Sequence, residues 1–154
     1  GNLRSGTENL PGIVGLGEAC RLIKENIHEY ESKLIHLKKR LYDGIKSEIS
    51  DIHLNGPDID KGAPQILNVS FLGVRGEVLL HALEEKGIYV STGSACSSHK
   101  NTESHVLKAI GLSHEYIEGA IRFSFSIFNT DEEIDYTIDA LKDKVNFLRK
   151  YKRR

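Results

Sequence analysis

The feature that most constrains this fold is a long run of regularly spaced apolar residues near the N-terminus. Consecutive members of the run lie three or four positions apart, which is typical of one face of an α-helix. The run consists of Leu16, Cys20, Ile23, Ile27, Tyr30, Leu34, Leu37, Leu41 and Ile45. Asn9 or a neighbouring residue is predicted to cap this helix, and Pro11 to lie in its first turn. No second stretch of similar length repeats the spacing, so we expect one long helix that packs along its own domain rather than a coiled coil.

Shorter patterns predict a small sheet. Residues 66–71 and 120–126 alternate apolar and polar side chains as half-buried strands do, and residues 51–54 and 87–91 are predicted as two further short strands. Helices are predicted over residues 76–86, over residues 101–110 with Asn101 or Thr102 as the cap, and after the capping box at residues 130–133. The predicted fold class is therefore α+β, with an antiparallel or mixed sheet of about three or four strands covered on one side by helices.

Composition narrows the class of protein. The 154 residues predict a single domain over 1–154, and a net charge of -1 argues against a dedicated nucleic-acid binder. The two cysteines lie far apart, which favours a reduced, cytoplasmic chain. No apolar run is long enough to span a membrane, and the seven histidines have no metal-ligand spacing, so neither a membrane nor a metal is expected. Because the chain contains no methionine, we expect it to be part of a longer protein.

The cysteines stand in different surroundings. Cys20 lies on the apolar stripe of the long helix and is predicted to be buried there, as free cysteines often are. Cys96 lies among small and hydroxylated residues in Gly93-Ser94-Ala95-Cys96-Ser97-Ser98, and His99 and Lys100 follow. Positive charge nearby lowers a thiol pKa and increases the nucleophilic thiolate fraction. The spacing alone leaves a reactive and a structural role open for Cys96.

Several blocks of the chain resemble one family. The block around Cys96, the segments at residues 67–71 and 106–112, Ile121-Arg122-Phe123-Ser124, the opening residues 4–9 and the closing residues 130–135 are similar to the C-terminal part of cysteine desulfurases of the NifS/IscS type. These blocks follow the order of the family and cover nearly the whole chain. The fold that the resemblance implies is the C-terminal small domain of a pyridoxal-phosphate enzyme of fold type I.

The resemblance also implies an activity and three site residues. The complete enzyme would convert L-cysteine to L-alanine with pyridoxal 5'-phosphate, and Cys96 would hold the sulfur as a persulfide for a sulfur-acceptor or scaffold protein. Arg122 would bind the substrate carboxylate, for which an ordinary salt bridge is the alternative. Thr7 would bind the cofactor phosphate of the other subunit in a homodimer, for which capping of the long helix is the alternative.

The resemblance ends at the cofactor-binding lysine. In the family this lysine lies upstream, in a Ser-x-His-Lys-x-x-Gly-Pro context. Ser97-Ser98-His99-Lys100 imitates part of this pattern, but no Gly-Pro follows, so Lys100 is rejected for the role. We therefore expect the upstream domain to be missing here, and the chain alone to bind the cofactor poorly and to be inactive.

The sequence is also compatible with two other functions. One is a noncatalytic module for sulfur carriage or partner binding, and another is a class V aminotransferase without desulfurase activity. The basic tail over residues 149–154 is explained by the dipole of the last helix, and it could also dock an acidic surface or tRNA during thiolation.

Overall fold

The computed structural model describes residues 6–92 and 104–151. In chain order, the helices and strands are α1 (Leu10–Glu48), β1 (Ile52–Leu54), β2 (Ile66–Phe71), α2 (Gly76–Glu84), α3 (His105–Ala109), α4 (His114–Glu118), β3 (Ala120–Ser124) and α5 (Asp131–Lys150). The chain divides into two compact units, Gly1–Ser32 and Lys33–Arg154. The first unit holds the first part of α1, and the second holds the sheet and all other elements.

The long helix is confirmed, but its burial is uneven. The side-chain oxygen of Asn9 accepts a hydrogen bond from the backbone N–H of Gly12 at 3.2 Å, so Asn9 caps α1 as predicted. Leu37, Leu41 and Ile45 are fully buried, whereas Leu16 is 67% exposed. The expectation that the helix packs along its own domain is therefore wrong for the first part of α1.

The burial predicted for Cys20 is also wrong, because its side chain is exposed. Cys20 lies on the same apolar stripe as the buried leucines but in the first unit of the chain. An apolar period identifies one face of a helix, and it does not say which turns of that face another element covers.

The sheet is antiparallel and has the order β1-β2-β3. Its apolar face carries Leu67 and Val69 of β2 and Ile121 and Phe123 of β3, which are all buried. These side chains belong to one hydrophobic cluster with the second part of α1 and with α2 and α5. The α+β class, the three-stranded sheet and the long N-terminal helix are thus as predicted.

The segment at residues 87–91 is not a regular strand. Only Ser91 pairs with β3, through an isolated bridge to Arg122. Gly87 has a φ of +74°, a left-handed conformation that ends the α2 region. The segment therefore extends the sheet at a single position.

Two short helices follow. α3 begins after Ser104, whose hydroxyl accepts from the N–H of Leu107 at 3.4 Å, so Ser104 is its cap; Asn101 and Thr102, the predicted caps, lie outside the described residues. α4 was not predicted, because five residues are too few to show a helical period. The ring of its Tyr116 contacts the ring of His53 in β1 at a tilt, with the ring centroids 4.7 Å apart.

The last helix is fixed at both ends. Thr130 and Glu133 form the predicted capping box at its start. At its end, the Arg149 guanidinium donates to the carbonyl oxygens of Leu72, Ser50 and Asp51 at 3.1, 2.9 and 3.2 Å. Arg149 thereby joins α5 to the turn that follows α1.

Candidate functional site

Arg122 lies on the polar face of the sheet. Its neighbours Ile121 and Phe123 are buried on the opposite face, while Arg122 itself is exposed, as the alternation in β3 predicts. Its guanidinium makes no ion pair or hydrogen bond with the residues that the structure describes. The ordinary salt bridge that was the alternative role for Arg122 is therefore not seen within this part of the chain.

The backbone of Arg122 is held firmly. Its N–H donates to the carbonyl oxygen of Ser91 at 2.7 Å, and its carbonyl oxygen accepts from the N–H of Ser91 at 3.1 Å. On the other side, β3 pairs with β2, where Asn68 lies opposite Arg122. A strand that is paired on both sides of the arginine gives its side chain a rigid base, which suits two-point recognition of a carboxylate.

Close packing fixes the chain next to Ser91. A Cβ added at Gly76 would lie 3.0 Å from the carbonyl oxygen of Ala120 and 3.4 Å from the Thr92 methyl carbon. With glycine at this position, the start of α2 approaches β3 closely, and a larger residue would require the Ala120 carbonyl group to shift. The chain is thus anchored at Ser91 and Thr92, directly before the segment that carries Cys96.

Cys96 itself lies outside the described residues, as do His99 and Lys100. Its proposed role therefore stays a prediction from the sequence. The described chain resumes at Ser104, the cap of α3.

Thr7 precedes α1 in the first unit and is exposed. The preceding Gly6 has a φ of +100°, a backbone conformation that favours glycine. The capping hydrogen bond that the structure shows at the start of α1 is accepted by Asn9, and Thr7 stays a candidate for both roles. A threonine hydroxyl next to a left-handed glycine has the chemistry needed to bind a phosphate oxygen.

A buried polar cluster next to Arg122 was not predicted. Asn55 donates from its amide nitrogen to the side-chain oxygens of Asn68 and Ser70, both at 2.7 Å, and the Ser70 hydroxyl donates to the Tyr116 carbonyl oxygen at 2.6 Å. The only signal in the sequence is the polar phase of Asn68 and Ser70 in the alternation of β2. The contacts join β1, β2 and α4, and a local pattern cannot show such contacts.

At least one residue of the basic tail, Arg149, has a structural role. Arg149 is bound to three carbonyl oxygens, so its guanidinium is already engaged within the fold. A docking role for the tail would therefore rest on Lys150 and on residues 152–154, which lie outside the described residues.

Within residues 6–92 and 104–151, no group of three or more histidine, cysteine, aspartate or glutamate side chains could hold a metal ion. In the same residues, no helix has both the length and the apolar character that crossing a membrane requires.

The family of the chain follows from comparison with known proteins. The family model described as aminotransferase class-V matches residues 1–137. The chain belongs to this family.

Two curated relatives show which members of this family the chain is similar to. The chain is 48% identical over 139 residues to a cysteine desulfurase IscS of Clostridium botulinum, covering 90% of this chain and 35% of that protein. It is also 48% identical over 147 residues to a cysteine desulfurase IscS of Salmonella paratyphi C, covering 96% of this chain and 35% of the relative. The chain thus spans about a third of the length of these relatives.

Solved structures agree on the fold. A NifS-like protein matches with a TM-score of 0.80 and 35% identity, over 94% of this chain and 36% of that one. A NifS-like protein from Rickettsia africae matches with a TM-score of 0.79 and 27% identity, over 94% of this chain and 37% of that one. The resemblance to NifS/IscS cysteine desulfurases and the predicted fold are therefore confirmed.

Proposed function

We propose that this chain is the C-terminal segment of a pyridoxal-phosphate-dependent cysteine desulfurase. In the complete enzyme, Arg122 binds the carboxylate of L-cysteine, and the Cys96 thiolate receives the substrate sulfur. The reaction yields L-alanine and a persulfide on Cys96, which passes its outer sulfur to an acceptor for iron-sulfur cluster assembly or thiolation. The similarity to IscS proteins supports the reaction class.

The observation that carries the assignment of residues is the pairing of Ser91 with Arg122. Five peptide bonds join Ser91 to Cys96, so covalent geometry limits the distance between their Cα atoms to about 18 Å. Cys96 is therefore tethered within that reach of the residue that pairs with Arg122. The arginine side chain is exposed and makes no ion pair among the described residues, so its charge is available to a carboxylate.

The proposed sulfur transfer is a nucleophilic displacement at the sulfur atom of the substrate. The Cys96 thiolate forms a bond to the substrate sulfur, and the carbon–sulfur bond of the substrate breaks. The electron pair of that bond stays with the substrate carbon skeleton, which gains protons to become L-alanine. When bound, pyridoxal phosphate supplies the electron withdrawal that makes this bond labile.

The described residues supply one part of a cofactor site. Thr7, an exposed residue next to the left-handed Gly6, has a hydroxyl that fits the role of binding the cofactor phosphate across the interface of a homodimer. We expect a lysine upstream of this chain in the complete enzyme to form the covalent bond to the cofactor. The chain alone is therefore expected to bind the cofactor poorly. A cytoplasmic location and a sulfur-acceptor or scaffold partner belong to the same proposal.

The test uses the longer protein that contains this chain. Cys96→Ala should abolish sulfide release from L-cysteine while cofactor absorbance remains, and Cys20→Ala is the matched control that should retain activity. Arg122→Gln should raise the KM for L-cysteine by at least about tenfold, because a charged hydrogen-bond pair is lost. Undiminished sulfide release by Cys96→Ala would overturn the assignment of Cys96.

The same experiment addresses the noncatalytic alternative. A passive sulfur carrier would accept sulfur on Cys96 from another donor, and the wild-type protein would form no L-alanine from L-cysteine. Alanine formation by the wild type therefore separates the enzyme from the carrier.

A further inference from the structure

Asn68 is the neighbour of Arg122 across the sheet. The two residues lie opposite each other in the register of β2 and β3. Side chains of directly opposed residues share one face of a sheet, with their Cβ atoms about 4.5–5.5 Å apart. The side chains of Asn68 and Arg122 therefore start from neighbouring positions on the polar face.

A chain of hydrogen bonds fixes which end of the Asn68 amide faces which strand. It begins at the Tyr116 carbonyl oxygen, which can only accept, so the Ser70 hydroxyl must donate to it. That donation uses the one hydroxyl proton, so the Ser70 oxygen accepts from the Asn55 amide nitrogen. The same nitrogen donates its second proton to Asn68, which must present its side-chain oxygen.

Because Ser70 and Asn55 are buried, water does not compete for these hydrogen bonds. Ser70 is fully buried and Asn55 is 8% exposed. The side-chain oxygen of Asn55 is buried and finds no hydrogen-bond partner among the described residues. Rotating the Asn55 amide would break both of its donated bonds, so leaving this one oxygen unpaired is the smaller cost.

These hydrogen bonds also determine the direction in which the side-chain amide nitrogen of Asn68 points. The backbone N–H of Asn55 also donates to the Asn68 carbonyl oxygen, so Asn55 lies on the β1 side of Asn68, and Arg122 lies on the β3 side. The Asn68 amide nitrogen is thus turned away from β1, and it makes no hydrogen bond with any residue in the described part. Asn68 and Arg122 thus lie opposite each other, and neither side chain donates a hydrogen bond to another residue in the described part of the chain.

We propose that Asn68 donates a hydrogen bond to the substrate carboxylate that Arg122 binds, and that buried Asn55 is the positioning residue that orients the Asn68 amide. This inference rests on the proposed function, because it identifies a second contact at the same carboxylate. A planar carboxylate has two oxygens, so a guanidinium and an adjacent amide can bind it together.

The experiment measures competitive inhibition of the complete enzyme by two compounds of similar size. L-Alanine carries the carboxylate, and L-alaninamide replaces it by a neutral amide. Asn68→Ala should raise the inhibition constant of L-alanine about tenfold, as expected for one lost hydrogen bond to a charged group, and change that of L-alaninamide by less than about twofold. Ser124→Ala, on the same face of β3, is the control and should change neither constant.

A second variant covers the case in which Asn68→Ala fails to fold. Asn68→Asp keeps the oxygen that Asn55 needs and loses only the donor, so the fold should persist while L-alanine binds more weakly than in Asn68→Ala. Asn55→Ala should weaken L-alanine binding selectively, and by less than Asn68→Ala does.

The outcomes separate the two proposals. If the wild type releases no sulfide from L-cysteine, the proposed function fails. If the wild type is active, unchanged L-alanine inhibition in both Asn68 variants overturns this inference alone. Equal weakening of L-alanine and L-alaninamide would assign Asn68 a structural role and also overturn it.

Discussion

The two parts of α1 have the same apolar spacing and different surroundings. In the first part, Leu16 and Cys20 are exposed, and the ion pairs of Arg21 are made with Glu18 and Glu25 of the same helix. In the second part, Leu37, Leu41 and Ile45 are buried, and the charged side chains reach other elements: Arg40 binds Asp135 of α5. The comparison teaches that one periodic pattern can hold both exposed apolar positions and positions that are part of a core.

The largest expected effect tests burial directly. Leu41→Ala should lower the free energy of unfolding of the 154-residue chain by about 2–5 kcal/mol, because it opens a cavity in the core. Leu16→Ala, the matched change in the exposed part, should stay within about 0.5 kcal/mol. Urea denaturation followed by circular dichroism measures both, and equal losses would break the comparison.

A somewhat smaller effect tests the end of α1. Arg149→Met should lower the free energy of unfolding by about 1.5–3 kcal/mol, because the carbonyl oxygens after α1 lose a charged donor. Lys150→Met is the control at the next position, which is exposed and basic. A loss in the control as large as that in Arg149→Met would mean that tail charge, not the hydrogen bonds, stabilises this end.

The reactivity of the Cys20 thiol tests whether the first part of α1 is exposed. In a Cys96→Ser background, Cys20 should react with a maleimide at the same rate in the native chain and in urea, because no unfolding is needed to reach it. Mass spectrometry of timed samples measures the rate. Protection in the native chain that urea removes would show that this part of α1 is covered.

The smallest effect concerns pH. The hydrogen bond from Arg40 lowers the pKa of Asp135 below its usual value near 3.8, and the hydrogen bond from Arg21 lowers the pKa of Glu18 below its usual value near 4.5. A lowered folded-state pKa gives stability that is present above the unfolded pKa and is lost as the pH falls through the folded value.

Since Asp135 is bound across elements and Glu18 only within its helix, Arg40→Gln should raise the pKa of Asp135 towards its usual value and leave that of Glu18 unchanged. Carboxyl-carbon NMR titration measures both groups. A shift of Glu18 in this variant would show that the two parts of α1 are electrostatically linked.

Much of the fold follows from local sequence patterns. The period of α1, the alternation in β2 and the capping box of α5 are properties of neighbouring residues, and the structure confirms all three. The segment at residues 87–91 has strand-like residues, yet only Ser91 finds a partner, because pairing depends on the path of another strand.

The candidate site divides in the same way. The alternation of β3 predicts the outward side chain of Arg122. The neighbours that matter most, Ser91 and Asn68, are set by strand register, and the link from Asn68 through Asn55 to the Tyr116 carbonyl oxygen joins three elements. Such contacts arise only when the chain is folded.

The central claim is that Cys96 receives sulfur from L-cysteine, and the most direct measurement is peptide mass spectrometry of the complete enzyme after a brief exposure to L-cysteine. The account predicts that the peptide with Cys96 gains the mass of one sulfur atom, that a reductant removes it, and that Cys20, although exposed, remains unmodified. Added sulfur on Cys20 but not on Cys96, or on neither cysteine while L-alanine accumulates, would contradict the account.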